Sequence, residues 1–452
     1  MFSLQQKDKR FLWHPYTQMH DYAERDLLLI DRAHGVRLFD IQGKSYFDTI
    51  SSWWCIVHGH CHPTMVEAVR GQLGRLDQVL LAGIGHEPAI LLAEKLVQLA
   101  PPGLTRVFFS DNGSTACEIA IKMSLQYWQQ AGQPQRRELI GVERGYHGDT
   151  IGTMSLGGMP EFHSPFASLL FPSHRIPSPY CYRCPVGIDQ PGCDCQCLLP
   201  LAELLAEQGE RIAALIIEPL VQAAGGMIVY PVKYLQRLAS LVRSHGVHLI
   251  LDEVATGFGR TGTMFALEQA GVEPDFLCIS KGLTGGMLPM AATITSEEVY
   301  VAFFADYGEG KTFFHGHTFT GNPVAAAAGL GSLRVFAEEQ TMVGLPAKIR
   351  HLHMAMERFR ELPWVGDLRR LGMICAMELV KDKASRAPFA PGDRVGWPVY
   401  LAGLKEGVLL RPMGNIIYLW LPLSVTMEEI DEIVIRTWRV LANAENIGGW
   451  QG

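Results

Sequence analysis

The feature that most constrains this chain is an alternation, along its middle, of short apolar runs with amphipathic stretches. The runs at residues 106–109, 139–142, 214–217, 247–251 and 276–279 are too short for stable helices and too continuously apolar for strands with one wet face. Between them lie helical patterns; within residues 115–130, Ile119, Met123 and Tyr127 share one face. Strands alternating with helices build an α/β fold, a parallel sheet with helices on both sides. Such sheets bind ligands at the carboxyl ends of their strands, so the polar residues after each run are the candidates for chemistry.

The flanks read differently. Strand-like segments occupy residues 35–40 and 44–48, and beyond residue 336 a helix near 348–360 is followed by strands near 373–379 and 416–421. The expected division is a smaller α+β domain built from both ends, residues 1–58 with 336–452, beside a large domain of residues 59–335. A net charge of −7 with no basic stretch argues against a nucleic-acid partner. No apolar run reaches the roughly 18 residues a membrane span needs, and residues 1–10 are polar rather than signal-like. The expectation is a cytoplasmic protein acting on small molecules. Five of the ten cysteines, Cys181, Cys184, Cys193, Cys195 and Cys197, crowd one stretch, and without a signal peptide reduced thiols are the default.

Lys281 follows the run 276–279 and precedes Gly282-Leu-Thr-Gly-Gly286. A lysine at a strand end beside glycines reaches an open site and, when neutral, forms an imine with an aldehyde; in isolation it reads as a surface residue. Asp252 ends the run 247–251, where a carboxylate pairs with a protonated pyridine nitrogen or caps a turn. Residues 106–109 lead into Ser110-Asp-Asn-Gly113-Ser114 and a helix, which presents backbone N–H groups to a phosphate or is simply capped. Tyr146 follows the run 139–142 and offers a ring for stacking or for core packing, and Glu218 ends the run 214–217. Together these strand ends supply a phosphate cup, an aromatic, a carboxylate and an amine, which is what pyridoxal phosphate requires.

The Asp252-Glu253 … Gly257-Phe-Gly-Arg-Thr-Gly262 block with Asp275 and Ser280-Lys281-Gly282 resembles the class III aminotransferases. That resemblance runs over nearly the whole chain and implies the fold type I architecture, with a mostly parallel seven-stranded sheet in the large domain. It implies Lys281 as the cofactor-bearing acid/base, Asp252 as the pyridinium partner, Tyr146 on the ring, Gly113 and Ser114 at the phosphate, and Glu218 in support. The loop His315-Gly316-His-Thr318 resembles one whose threonine reaches a neighbouring subunit's phosphate, which implies a homodimer with shared sites. Trp13-His-Pro-Tyr16-Thr-Gln-Met19 with Trp53-Trp54 is similar to a branch that aminates 8-amino-7-oxononanoate in biotin synthesis, taking the amino group from S-adenosylmethionine or lysine. Tyr16, Trp53, Trp54, Arg260, Gly316 and Arg411 are then the substrate-binding residues, Arg411 for a distant carboxylate, and the reaction is ping-pong. Other class III ω-amino acid or diamine aminotransferases share Lys281 and Asp252 but do not need the Trp13–Met19 segment or the two tryptophans, and an aminomutase differs by turning over without an amino acceptor.

Three features depart from that pattern. The cysteine-rich stretch has the look of a metal clip or of a reduced loop, and a metal-binding or redox module is the reading it would support. Residues 382–396 form a second insert ahead of Arg411, and His317 stands where several S-adenosylmethionine users have proline. His58, His60 and His62 resemble ligands but sit in a family turn, and Lys311-Thr312 lacks the first glycine of a P-loop. No metal is expected.

Overall fold

Strands buried on both faces send alternate side chains to opposite sides, and the core of this protein is divided in that way. Leu215 and Ile217, Leu249 and Leu251, Leu277 and Ile279 belong to one cluster, which includes Leu235 and Leu238 of the helix Val232–Ser244. Their neighbours Ala214 and Ile216, Ile250, Phe276 and Cys278 belong to a second, with Ala116, Ile119 and Met123 of the helix Gly113–Gln130. Each crossover helix therefore covers one face of a sheet with no wet side.

The computed structural model describes residues 2–188 and 192–443; residues 1, 189–191 and 444–452 of the expected domains lie outside them. The N-terminal part carries an antiparallel sheet of β1 (Ile30–His34), β2 (Arg37–Asp40) and β3 (Ser45–Phe47). The large sheet takes β4 (Leu104–Ser110), β5 (Glu138–Val142), β6 (His174–Ile176) and β7 (Ile212–Ile217); a hairpin of β8 (Val221–Gln222) and β9 (Ile228–Val229) follows. It is completed by β10 (His248–Asp252), β11 (Phe276–Ile279) and β12 (Ala291–Ser296), in the order β4-β12-β11-β10-β7-β5-β6. The C-terminal part holds β13 (Val365–Leu371), β14 (Ile374–Asp382), β15 (Ala387–Pro388) and β16 (Ile416–Trp420).

The fold is α/β with a seven-stranded, mostly parallel sheet, but β4 is not paired in parallel as expected. It pairs antiparallel with β12, which is itself antiparallel to β11. Two reversals restore the direction, so β4 still ends on the same edge as β5, β7, β10 and β11. The mixed composition of Ala291–Ser296 hid β12 from a search for purely apolar runs. The C-terminal helix starts at Thr341, earlier than the expected 348, and keeps Pro346 inside it. Burial of Leu345, Leu352 and Met356 outweighs the loss of one backbone donor near its start.

The two chain ends meet. Phe47 N–H donates to the Gly407 carbonyl and Leu409 N–H to that of Phe47, both at 2.9 Å, and Trp420 N–H reaches Thr49 at 2.7 Å. The Phe47 ring is fully buried and carries the Arg37 guanidinium at 3.8 Å. Phe47→Ala is expected to cost about 3–5 kcal/mol in reversible denaturation; a loss below about 1 kcal/mol would show that the ends do not share a core.

Candidate active site

Because five strands end on one edge, the turns after them surround one cavity of about 440 Å³. Gly113 and Ser114 line it after β4, Tyr146 after β5, Glu218 after β7, Asp252 at the end of β10 and Lys281 after β11, while Trp54 closes it from the N-terminal part.

Lys281 opens a short 3₁₀ turn with φ +37, a left-handed conformation costly for a side chain with a Cβ. Ser280 fixes the turn by donating from Oγ to the Met290 carbonyl at 2.8 Å. The Lys281 ammonium lies 5.3 Å from the Trp54 ring centroid, and among the described residues its Nζ has no hydrogen-bond or ion-pair partner. Burial pushes its pKa down, against the opposing charges of Asp252 and Glu218. A larger share of the amine is therefore neutral and nucleophilic than in a lysine in water.

Asp252 accepts a hydrogen bond from the Val254 N–H at 3.0 Å, and its other oxygen lies 2.7 Å from His147 Nδ1. The His147 side chain is fully buried, and its Nε2 has no partner. Cys117 packs beneath, so that the donor atoms of Cys117, His147 and Asp252 all lie within 4.8 Å. Its thiol is pushed up by contact with Cys278, by burial and by the Asp252 charge. Asp252 is thus a buried carboxylate held by one imidazole and one N–H, with its cavity side open.

The helix Gly113–Gln130 is capped by Asn112, whose side chain accepts from the Thr115 N–H at 3.1 Å. The N–H groups of Gly113 and Ser114 remain for a ligand at the positive end of an 18-residue helix. Gly148, at φ +127, folds the Tyr146 turn against this end; a Cβ there would meet Ser114 Oγ at 1.9 Å. Glu218 accepts from the N–H of Tyr146 at 3.2 Å and of Ala223 at 2.9 Å. Burial and the nearby Asp252 charge push its carboxyl up to about 8.

At the mouth, Tyr16 donates to Asp149 at 2.8 Å and touches the Tyr146 hydroxyl at 3.2 Å. Trp53 stands edge-on to Tyr16 at 5.8 Å, and the Arg411 guanidinium lies 4.3 Å from the Trp53 ring centroid. Trp54 stacks on Trp420 at 5.3 Å and donates from Nε1 to Tyr418 Oη at 3.2 Å. This is an aromatic wall with one guanidinium at its outer end, the arrangement that suits a chain bearing a terminal carboxylate.

Other expected residues lie elsewhere. Arg260 does not line the cavity; it is almost fully buried and bonds the carbonyls of Leu421 and Ile56 and the hydroxyl of Ser51. A guanidinium so surrounded is a structural tie between the chain ends. Gly316 and Thr318 are exposed and outside the cavity; the Thr318 carbonyl accepts from Gln78 at 2.8 Å. His317 Nδ1 meets Asp111, a cavity residue, at 2.8 Å. His58, His60 and His62 diverge to Ser332, Asp48 and Glu339. Among the described residues, the cysteines of the insert take part in no three-ligand cluster. His147 and Asp149 were not singled out in the sequence, although both stand in the same turn as Tyr146.

Folding raises the Glu218 carboxyl from its ordinary 4.5 to about 8, so the unfolded chain loses that proton first. The resulting stability is whole below the unfolded value and is lost as pH climbs through this window. In cofactor-free protein, Glu218→Gln should lessen the fall in Tm between about pH 6 and about pH 8.5. Equal slopes in the two proteins would contradict the assignment.

The family model for class III aminotransferases matches residues 19–441. The adenosylmethionine-8-amino-7-oxononanoate aminotransferase of Geobacter sulfurreducens is 46% identical over 433 residues, 96% of each chain. The enzyme of that name from Methanocaldococcus jannaschii is similar in crystal structure, with a TM-score of 0.92 at 40% identity over 97% of this chain and 98% of that one. An amine transaminase from an uncultivated Pseudomonas species, solved with pyridoxal phosphate bound, gives 0.91 at 35% identity over 96% and 98%. With a strand-end amine facing a buried carboxylate and relatives of this closeness, the chain belongs to the class III aminotransferases.

Proposed function

We propose that this chain is the pyridoxal-phosphate-dependent aminotransferase that converts 8-amino-7-oxononanoate to 7,8-diaminononanoate in biotin biosynthesis, with S-adenosylmethionine as amino donor. The observation that carries the reading is the unpartnered Lys281 amine facing the same cavity as Asp252 and its His147 partner. The residues fit pyridoxal phosphate: an amine for the aldehyde, a carboxylate for the ring nitrogen, a ring in Tyr146, and free N–H groups at Gly113 and Ser114 for the phosphate. When bound, the cofactor supplies a carbonyl carbon that takes up the amino group and a ring that withdraws electrons from the donor's α-carbon.

In this reading Lys281 would hold the cofactor, and its amine would take the proton from the donor's α-carbon in the first half of a ping-pong reaction and return one to the acceptor's carbon in the second. Asp252 keeps the ring nitrogen protonated, which strengthens electron withdrawal. Glu218 orients Tyr146 through the backbone N–H. Trp53 and Trp54 hold the methylene chain, Tyr16 closes the donor side, and Arg411 takes the distant carboxylate. Thr318 and Gly316, on a loop with the exposed aromatics Phe314 and Phe319, serve the site of a second copy in a homodimer. The interior thiols of Cys117, Cys278 and Cys375 suit a reducing cytoplasm. Residues 1–58 with 336–452 act as the small domain and 59–335 as the large one. His317, bonded to Asp111 beside the cavity, leaves lysine as the competing donor, a question for the same experiment.

In single turnover, S-adenosylmethionine should discharge the visible absorbance of the lysine-bound cofactor and 8-amino-7-oxononanoate should restore it. Discharge by lysine alone would change the donor, and no discharge by either would reject the substrate assignment. Lys281→Ala should lower kcat by at least about a thousandfold, judged against intact cofactor binding. Arg411→Met should raise KM for 8-amino-7-oxononanoate by about tenfold to a hundredfold, read from initial rates.

A further inference from the structure

The segment that opens the cysteine-rich stretch is joined to the C-terminal sheet by charge rather than by sulfur. Glu378, buried on β14, accepts hydrogen bonds from Tyr180 and, at 2.7 Å, from Arg183 Nε. Arg369 on β13, also buried, donates to Glu378 at 2.8 Å, to the Tyr180 hydroxyl at 2.9 Å and to the Gly226 carbonyl at 2.9 Å. A single carboxylate thus collects two guanidinium groups and a phenol from two segments. A buried carboxylate so partnered is costly to move out of this network, so its place in the strand is strongly specified.

That place is next to the turn that presents Arg411. Glu378 is the register partner of Ile416 across β14 and β16, and Leu379 N–H donates to Asn415 at 2.8 Å. Met413 and Ile416 close the turn with reciprocal bonds of 2.9 and 3.0 Å. Arg411 lies two residues before it, over Trp53. Gly226, held by Arg369, belongs to the connection between β8 and β9, just after Glu218.

We propose that Glu378, with Tyr180 and Arg183 of the insert, forms a clamp of positioning residues for Arg411, so that the insert governs recognition of the substrate's distant carboxylate. The inference rests on the reading of Arg411 given above. It is tested on the holoenzyme with Tyr180→Phe, Arg183→Met and Arg183→Lys, using 8-amino-7-oxononanoate and its methyl ester, which lacks the charge. Tyr180→Phe and Arg183→Met should each raise KM for the acid about five- to twentyfold, with kcat changed less than about twofold and KM for the ester unmoved. Arg183→Lys should fall between wild type and Arg183→Met, and it keeps a cation beside the buried Glu378 if the harsher variants fail to fold. An equal change for acid and ester, or lowered Tm with unchanged KM, would overturn the clamp. If Arg411→Met abolishes the preference for acid over ester while the insert variants keep it, the clamp alone is wrong. If Arg411→Met keeps that preference, the role of Arg411 fails and the clamp falls with it.

Discussion

Asp252 stands at the end of a strand with no exposed residue, and a charge placed there has to be met by a partner or given up. His147 meets it from one side at 2.7 Å and the Val254 N–H from another, leaving one direction, toward the cavity. The neighbouring groups are read through that constraint. Glu218 is pushed up by burial and by Asp252, while burial lowers Lys281 against the same charge. Environment rather than residue type thus moves the Lys281 amine down and the Glu218 carboxyl up, each toward its uncharged form.

The strand-end side of the cavity belongs to the large sheet, but the aromatic wall at its mouth is made by segments from the two ends of the chain. Trp53 and Trp54 come from a turn at residues 51–54 whose backbone is left-handed at Ser51, Ser52 and Trp54. That strain persists because Ser51 bonds the Trp420 carbonyl at 2.7 Å and Arg260 reaches across to Leu421 at 2.8 Å. Arg260 therefore supports the pocket wall from behind, and its guanidinium is held below its ordinary range, at about 10, by burial.

Much of this was legible in the sequence, for reasons of scale. Apolar runs of strand length marked β5, β7, β10 and β11, and the residue after each run marked the cavity, because strand direction alone decides where a strand ends. β12 and β6 were not legible, since Thr293, Thr295 and His174 break the apolar signal while their pairing is supplied by neighbours distant in sequence. His147 escaped notice because one histidine beside a tyrosine carries no signal until β5 and β10 are brought into one sheet. Arg260 was assigned to the substrate by motif, but its direction is set by the packing of the two chain ends, which no local pattern encodes. Tyr180 and Arg183 carry no local signal beside the cysteines, because their contacts lie almost two hundred residues ahead.

The most direct measurement is the rate of the donor half-reaction in Asp252→Asn, with cofactor occupancy confirmed by absorbance. Asparagine keeps the size of the side chain and one accepting oxygen and removes the charge. A charge interaction of roughly 4 kcal/mol at about 4 Å translates into a fall of about a thousandfold, with the cofactor still bound. A rate within about tenfold of wild type would contradict the claim that the buried Asp252 charge organises this site.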